Sequence, residues 1–304
     1  MTQFIKTNDD VVLKKIFKRF ILAKNDSHKG QNGKILIIGG SSLFHAASLW
    51  AAETASHFVD MVHYCSTEEN EKIFLNLKTK FRNGIIVRKD DLLKYAEEDD
   101  VILIGPGMIR GKISNIQIKN QKDLINIKDE ALYTYFLTQF LIENFPEKKF
   151  VIDAGSLQMM DKDWLLKLKT KPIITPHQKE FEKLFAEKII DLNFEEKINL
   201  VEKIAKKYNI VILLKAVNDI ISDSDQTVVV EGGNQGLTKG GTGDVLAALA
   251  ASFYVKNESF DSAVFASIVL KKAADELFNQ YGYWYNVSKI IDYLPKILKN
   301  LKKL

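Results

Sequence analysis

The chain has 304 residues, 46% of them apolar, enough to bury a sizeable core and to exclude intrinsic disorder. Its 43 basic and 39 acidic side chains leave a net charge of +4 spread along the chain, too mild to point to nucleic acid. One cysteine, Cys65, excludes a disulfide framework or a cysteine-rich zinc site, and five histidines without an HExxH pair suggest no catalytic metal site.

In chain order, the polar start (Met1–Asp10) lacks the apolar stretch of a signal peptide. Residues 1–27 read as a basic, amphipathic helical lead-in, and residues 28–304 as a single domain, because no Gly/Ser/Pro-rich linker divides them. Short β-rich runs follow at Lys34–Ile38, Met61–Cys65, Gly84–Val87, Val101–Ile104, Phe150–Ile152, Pro172–Ile174, Ile210–Lys215 and Thr227–Val230. Helical patterns separate them, clearest at Lys128–Asn144, Phe194–Tyr208, Val245–Tyr254, Asp261–Phe278 and Val287–Leu304, and Arg110–Gln121 reads as an exposed loop insertion. Continuously apolar strands alternating with helices predict an α/β fold with a mostly parallel sheet between two helical layers. No apolar run approaches the ~20 residues that span a bilayer, so a soluble, reduced, cytoplasmic protein without membrane or nucleic-acid partners is expected.

The polar and glycine signals share a position. Gly39-Gly40-Ser41, Gly105-Pro106-Gly107, Asp153, Thr175-Pro176-His177 and Lys215 each directly follow an expected strand. In an open α/β sheet, ligands bind in the crevice outside the strands' carboxyl ends. Of only 16 glycines, six fall between Gly232 and Gly243, in the run Gly232-Gly233-Asn234-Gln235-Gly236-Leu237-Thr238-Lys239-Gly240-Gly241-Thr242-Gly243-Asp244. This run leads straight into the helix former Val245–Ala250. Glycines before a helix let backbone N–H groups converge, and the helix dipole adds to their field, making an anion hole suited to phosphoryl transfer. Asp244 at the helix start could accept a proton from an attacking hydroxyl; the bland alternative is a helix cap on a tight turn. The run lacks the Gly-Lys-Ser/Thr of a Walker loop, and Gly105-Pro106-Gly107 lacks the spacing of a Rossmann fingerprint.

Gly-Gly-Thr-Gly-Asp before a small-residue helix resembles the anion-hole signature of the ribokinase-like superfamily, whose fold is a three-layer α/β/α sandwich. The order of further motifs resembles one branch, the ATP- or ADP-dependent NAD(P)H-hydrate dehydratases. These motifs are His28-Lys29-Gly30 through Ile35–Ser41, Gly105-Pro106-Gly107-Met108, Val151–Ala154, Thr175-Pro176-His177 with Glu180-Phe181, Leu214-Lys215-Ala216, and Asn234-Gln235-Gly236. The resemblance implies ATP- or ADP-dependent, Mg²⁺-requiring phosphorylation of the hydroxyl of hydrated NADH or NADPH, followed by loss of phosphate. It makes Asp244 the base, with Gly241, Thr242 and Gly243 stabilising the transferred group. Lys215, Ala216, Asn234, Gly240 and Gly243 would lie along the nucleotide; Ala47, Gly107, Asp153, His177 and Asp244 would meet the hydrated dinucleotide; Glu180 would reach Mg²⁺ through water. A separate epimerase in the same pathway and a homo-oligomer are expected partners. The chain departs from the family pattern at His45-Ala46-Ala47, at Phe58-Val59-Asp60, where glycine is usual, and at Ala216 after Lys215. A small-molecule kinase of the same superfamily and a non-catalytic nucleotide-binding relative are the competing readings.

Overall fold

The structure, a computed structural model, describes residues 2–113 and 121–303. Its centre is one sheet of β1 (Thr2–Lys6), β2 (Lys34–Ile38), β3 (Met61–Cys65), β4 (Ile85–Ile86), β5 (Val101–Ile104), β6 (Lys149–Ile152), β7 (Ile173–Ile174), β8 (Val211–Leu214), β9 (Asp219–Ser222) and β10 (Thr227–Glu231). The spatial order is β1-β10-β9-β8-β7-β6-β5-β2-β3-β4. Every neighbouring pair is parallel except the two made by β9, which runs against β8 and β10. Side chains alternate across each strand, so Ile35 and Ile37 enter one apolar layer while Leu36 and Ile38 enter the other.

Helices cover both faces. The first layer is fed by α1 (Asp10–Phe17), α2 (Ala46–Ala55) and, through Phe74, α3 (Glu68–Leu77). The opposite layer takes α4 (Leu92–Glu98), α5 (Gln121–Ile125), α6 (Glu130–Asn144), α7 (Ala154–Met159), α8 (Gln178–Phe185) and α9 (Phe194–Tyr208). α10 (Thr242–Tyr254), α11 (Ser259–Tyr281) and α12 (Val287–Lys303) complete the first layer. α10 is buried almost all round: its Ala-rich faces let α2 and α11 approach closely from two sides. The result is the three-layer α/β/α sandwich. Among the described residues no helix is long and apolar enough to cross a membrane.

Two strands differ from the sequence reading. Residues 2–6 form β1, parallel to β10 from Thr2↔Thr227 to Lys6↔Glu231, so the segment expected as a helical lead-in begins as an edge strand of the main sheet. Only Ile5 of the strand is buried, which leaves little apolar alternation to read. β9 lies a four-residue turn beyond β8 and was hidden by that proximity. Of the expected loop at Arg110–Gln121, residues 114–120 lie outside the described ones, and Gln121 opens α5.

Cys65 ends β3 with 1% of its surface exposed, and burial pushes its thiol up to about 12. A thiol so buried and protonated is a poor nucleophile. Native protein is therefore expected to resist labelling by DTNB, with one equivalent titrating only in denaturant; rapid native labelling would contradict this packing.

Candidate active site

The carboxyl ends of β5 to β8 bring the strand-end motifs together. Asp153 follows β6 and is 1% exposed. Its side chain makes no helix cap; Oδ1 accepts hydrogen bonds from Lys215 Nζ at 2.8 Å and Thr175 Oγ1 at 2.8 Å. The chain turns sharply behind it, with Ala154 at φ 42° and Gly105 packed so close that a Cβ there would lie 1.8 Å from the Asp153 carbonyl oxygen. Glycine at 105 is what allows the β5 and β6 ends to touch.

His177 and Lys215 sit side by side as a bridge that prolongs the β7–β8 pairing, with the Lys215 N–H donating to the Pro176 carbonyl at 2.8 Å. His177 caps α8 in a reciprocal box. The Glu180 N–H donates to His177 Nδ1 at 3.1 Å, and the His177 N–H donates to Glu180 Oε2 at 2.9 Å. Nε2 of the half-exposed ring lies 3.6 Å from Glu180 Oε1. Glu180 is itself buried: Oε1 accepts from Gln158 Nε2 at 3.0 Å, and Oε2 lies 3.8 Å from Lys215 Nζ. Burial alone would lower the Lys215 pKa, but Asp153, Glu180 and Asp244 surround the ammonium and hold it above the ordinary lysine value.

The glycine run leads into the first turn of α10. Gly241 is the N-cap of α10 at φ 103°, and Thr242 Oγ1 ties the first turn back to the carbonyls of Leu237 at 2.7 Å and Lys239 at 2.9 Å. Asp244 is therefore no cap; it stands in the first turn, facing the Lys215 cluster. Gly243 borders the same cluster, 3.5 Å from Lys215 Nζ to where a Cβ would be. Burial first, then the Asp153 carboxylate, push Asp244 up to about 7 against the pull of Lys215. A carboxyl poised near neutrality is suited to accept a proton during reaction. At Gly241 a Cβ would come within 2.4 Å of the Trp50 ring, in a backbone conformation that disfavours any side chain. Gly241→Ala is expected to cost about 1–3 kcal/mol in urea denaturation through this overpacking. An unaltered midpoint would show that α2 yields there.

The remaining expected residues fall into place unevenly. Ala47 meets Gly107: a Cβ at 107 would lie 2.9 Å from the Ala47 methyl and 3.3 Å from Gly40 Cα, so the β2 and β5 loops close on each other. Asn234 shapes its own loop, with Oδ1 accepting from the Gly236 N–H at 3.0 Å and from the Tyr285 hydroxyl at 2.7 Å. Gly240 has open space where a Cβ would stand. Ala216 and Ala46 adopt no positive φ, so glycine is not required at either. Phe58 packs on Phe253, 5.4 Å between ring centroids, below the amino end of β3 and thus at the opposite edge of the sheet from the crevice. Its bulk does not narrow the site.

The sequence reading missed the frame behind the loops at Ala216 and Gly232–Asn234. Lys271 of α11 is 3% exposed and donates to the carbonyls of Val217 at 2.7 Å and Gly232 at 3.2 Å, 3.7 Å from Asp219 Oδ2. Asp219 also accepts from the Ala216 N–H and the Ser267 hydroxyl. One turn on, Asp275 Oδ2 accepts from the Gly233 N–H at 3.0 Å and Thr7 Oγ1 at 2.9 Å. A lysine directly after the apolar run Phe265-Ala266-Ser267-Ile268-Val269-Leu270 was the available signal.

A three-layer sandwich with a glycine-rich helix start, an adjacent carboxylate and a partly buried lysine at the carboxyl edge of its sheet has the ribokinase-like architecture. It overlays on a ribokinase-like superfamily protein of Enterococcus faecalis with a TM-score of 0.77 at 19% identity, covering 100% of this chain and 97% of that one. It also overlays on the ADP/ATP-dependent NAD(P)H-hydrate dehydratase of Bacillus subtilis, co-crystallised with ATP and Mg²⁺ (TM-score 0.73, 21% identity, 95% and 97% covered). The sequence profile of the NAD(P)H-hydrate dehydratase family of carbohydrate-kinase-like proteins matches residues 35–296, and the chain belongs to that family. It is 32% identical over 280 residues to the bifunctional NAD(P)H-hydrate repair enzyme of Methanocaldococcus jannaschii, covering 90% of this chain and 50% of that protein. With the ADP-dependent (S)-NAD(P)H-hydrate dehydratase of Cenarchaeum symbiosum it shares 27% over 286 residues, 92% and 93% of the two chains. The chain thus spans about half the length of its bifunctional relatives.

Proposed function

We propose that the protein dehydrates hydrated NADH or NADPH at the expense of ATP or ADP, acting in the cytoplasm. The observation that carries this reading is Asp244, raised to about 7 at the mouth of the glycine-rich helix start, in a chain that belongs to the dehydratase family. The ionised Asp244 carboxylate takes the proton of the ring hydroxyl as its oxygen attacks the terminal phosphate of the nucleotide. The new O–P bond forms as the donor's P–O bond breaks, and the N–H groups of the Gly241–Gly243 turn receive the developing charge. Cleavage of the ring C–O bond then releases phosphate, and loss of a proton from the adjacent ring carbon to water restores the double bond of the reduced nicotinamide. Lys215, held charged by Asp153, Glu180 and Asp244, stands beside the phosphate path, and His177 borders the dinucleotide.

Mg²⁺ supplies charge neutralisation on the nucleotide's phosphates. Among the described residues no cluster of three His, Cys, Asp or Glu could hold a metal, and both oxygens of Glu180 already have protein partners. The ion therefore belongs with the nucleotide, Glu180 touching it only through water. An NAD(P)H-hydrate epimerase is the fitting pathway partner, supported by the bifunctional relatives, and the active form is proposed to be a homo-oligomer.

The test is recovery of NADH absorbance when purified protein meets hydrated NADH, Mg²⁺ and either ATP or ADP. Recovery with at least one nucleotide is expected; absence of recovery with both overturns the assignment.

A further inference from the structure

The glycine run has two flanks, Asn234 and Lys239, and one residue outside the run grips both. Tyr285 lies in the turn between α11 and α12 and is 2% exposed. Its hydroxyl donates to Asn234 Oδ1 at 2.7 Å, and a Cβ at Gly236 would lie 2.0 Å from that hydroxyl. Its carbonyl accepts from Lys239 Nζ, which also donates to the Tyr283 carbonyl and lies 4.9 Å from the Tyr285 ring centroid. Asn234 and Lys239 bound the 3₁₀ turn Gln235–Thr238, so this turn is closed into a loop through Tyr285.

A lysine beside a helix start would ordinarily reach for the anion itself. The Lys239 ammonium is instead engaged with two carbonyls and a ring face, and among the described residues it forms no ion pair. What Lys239 offers the helix start is its backbone. Its carbonyl accepts from the Thr242 N–H at 3.3 Å and from the Thr242 hydroxyl at 2.9 Å, which anchors the first turn of α10. Between these anchors stand Gly240, with open space where a Cβ would be, and Gly241, at φ 103° against Trp50. Glycines accept many backbone conformations, so their amides are held only as firmly as their flanks. Amides aimed in advance are what stabilise charge that develops during reaction.

We infer that Lys239 is a positioning residue for phosphoryl transfer. Its side chain fixes the Lys239 carbonyl and, through Thr242, the aim of the Gly241–Gly243 amides, without touching nucleotide or substrate. The inference rests on the transfer step proposed above but concerns a residue outside the reacting groups. Asn234 keeps its bond from the Gly236 N–H when Lys239 is altered, so ground-state nucleotide binding should persist while the transferring group loses its support.

The experiment titrates ADP with Mg²⁺, alone and with aluminium fluoride, whose complex with ADP imitates a phosphoryl group in transfer. The gain in ADP affinity given by the fluoride reads the aim of the amides. ADP alone reads ground-state binding, and its stoichiometry reads the folded fraction. In wild type the gain is expected to be about a hundredfold or more. Lys239→Met is expected to cut it about tenfold, as for donors displaced rather than deleted, with affinity for ADP alone within about twofold of wild type. Lys239→Arg, which can still donate to both carbonyls, is expected to recover most of the gain. A merely structural lysine would lower the stoichiometry or weaken both complexes equally. Either of those results, a gain unaltered in Lys239→Met, no recovery with arginine, or no gain in wild type would overturn the positioning role. Should Lys239→Met fail to fold, Lys239→Gln decides by the same criteria. If wild type repairs no hydrate yet this pattern of gains holds, the proposed function fails and the role of Lys239 stands.

Discussion

Asp244→Asn is expected to lower kcat by two to four orders of magnitude, in line with the loss of a positioned acid–base group. The substitution keeps the shape of the side chain and its place in the first turn of α10, so nucleotide binding should persist while the hydroxyl keeps its proton. In wild type, Asp244 is raised to about 7, and the base form is lost below that pH. kcat/KM should therefore fall about tenfold per unit as pH drops below 7, an inflection that the variant lacks. Stability should move the other way. An unfolded aspartate ionises near its ordinary value of about 3.9, whereas folded Asp244 ionises only near 7. Ionisation is thus disfavoured by folding, and this carboxyl's contribution, full in acid, is lost as pH rises through the interval to 7. Asp244→Asn escapes that loss and should be more resistant to urea than wild type at pH 8. A variant that still turns over at the wild-type rate would remove Asp244 from the role of base.

Lys271→Met should cause the largest loss of stability, about 3–5 kcal/mol, because removing one partner strands a buried charge. The side chains of Lys271 and Asp219 are 4% and 7% exposed. Burial already raises the Asp219 pKa, with Lys271 opposing that rise, so taking the lysine away drives the carboxyl further up. The penalty should be smallest near pH 4, where Asp219 can be neutral, and should grow as pH rises above the unfolded aspartate value. Lys271 also secures the carbonyls of Val217 and Gly232, on the two loops beside the proposed nucleotide path, so KM for ATP or ADP should rise more than kcat falls. Urea denaturation at pH 4.5 and 7.5 reads the first effect; equal midpoints with wild type at both would show that the Asp219–Lys271 pair is replaceable by apolar packing.

What the sequence disclosed follows from where the information sits along the chain. Strands Lys34–Ile38, Met61–Cys65 and Val101–Ile104 were legible to the residue because each is bounded by polar or glycine residues. The Gly232–Asp244 run was legible because one contiguous segment carries both the turn and the helix start. β1 was not, since an edge strand with a single buried residue has no face pattern to detect. The Lys271–Asp219 and Asp275–Gly233 contacts join residues roughly 40 to 50 positions apart, and only the packing of α11 against β8–β10 brings them together. Asp153 meets Thr175 and Lys215, 22 and 62 positions away, only through the fold.

The pairing of β1 with β10 fixes an order of events during synthesis. Residues 2–6 leave the ribosome about 225 residues before the strand they lie against. At ordinary translation rates that is roughly 10 to 45 seconds during which residues 2–6 lack their strand partner. The sheet can assemble from β2 through β9 meanwhile, and this early segment docks late, when Thr7 reaches Asp275 and helps fix the loop at Gly233. Completion of the loop at Gly233 then waits on the docking of a segment made far earlier, so nascent chains stalled short of Asp275 should leave that loop without its Thr7 and Asp275 contacts.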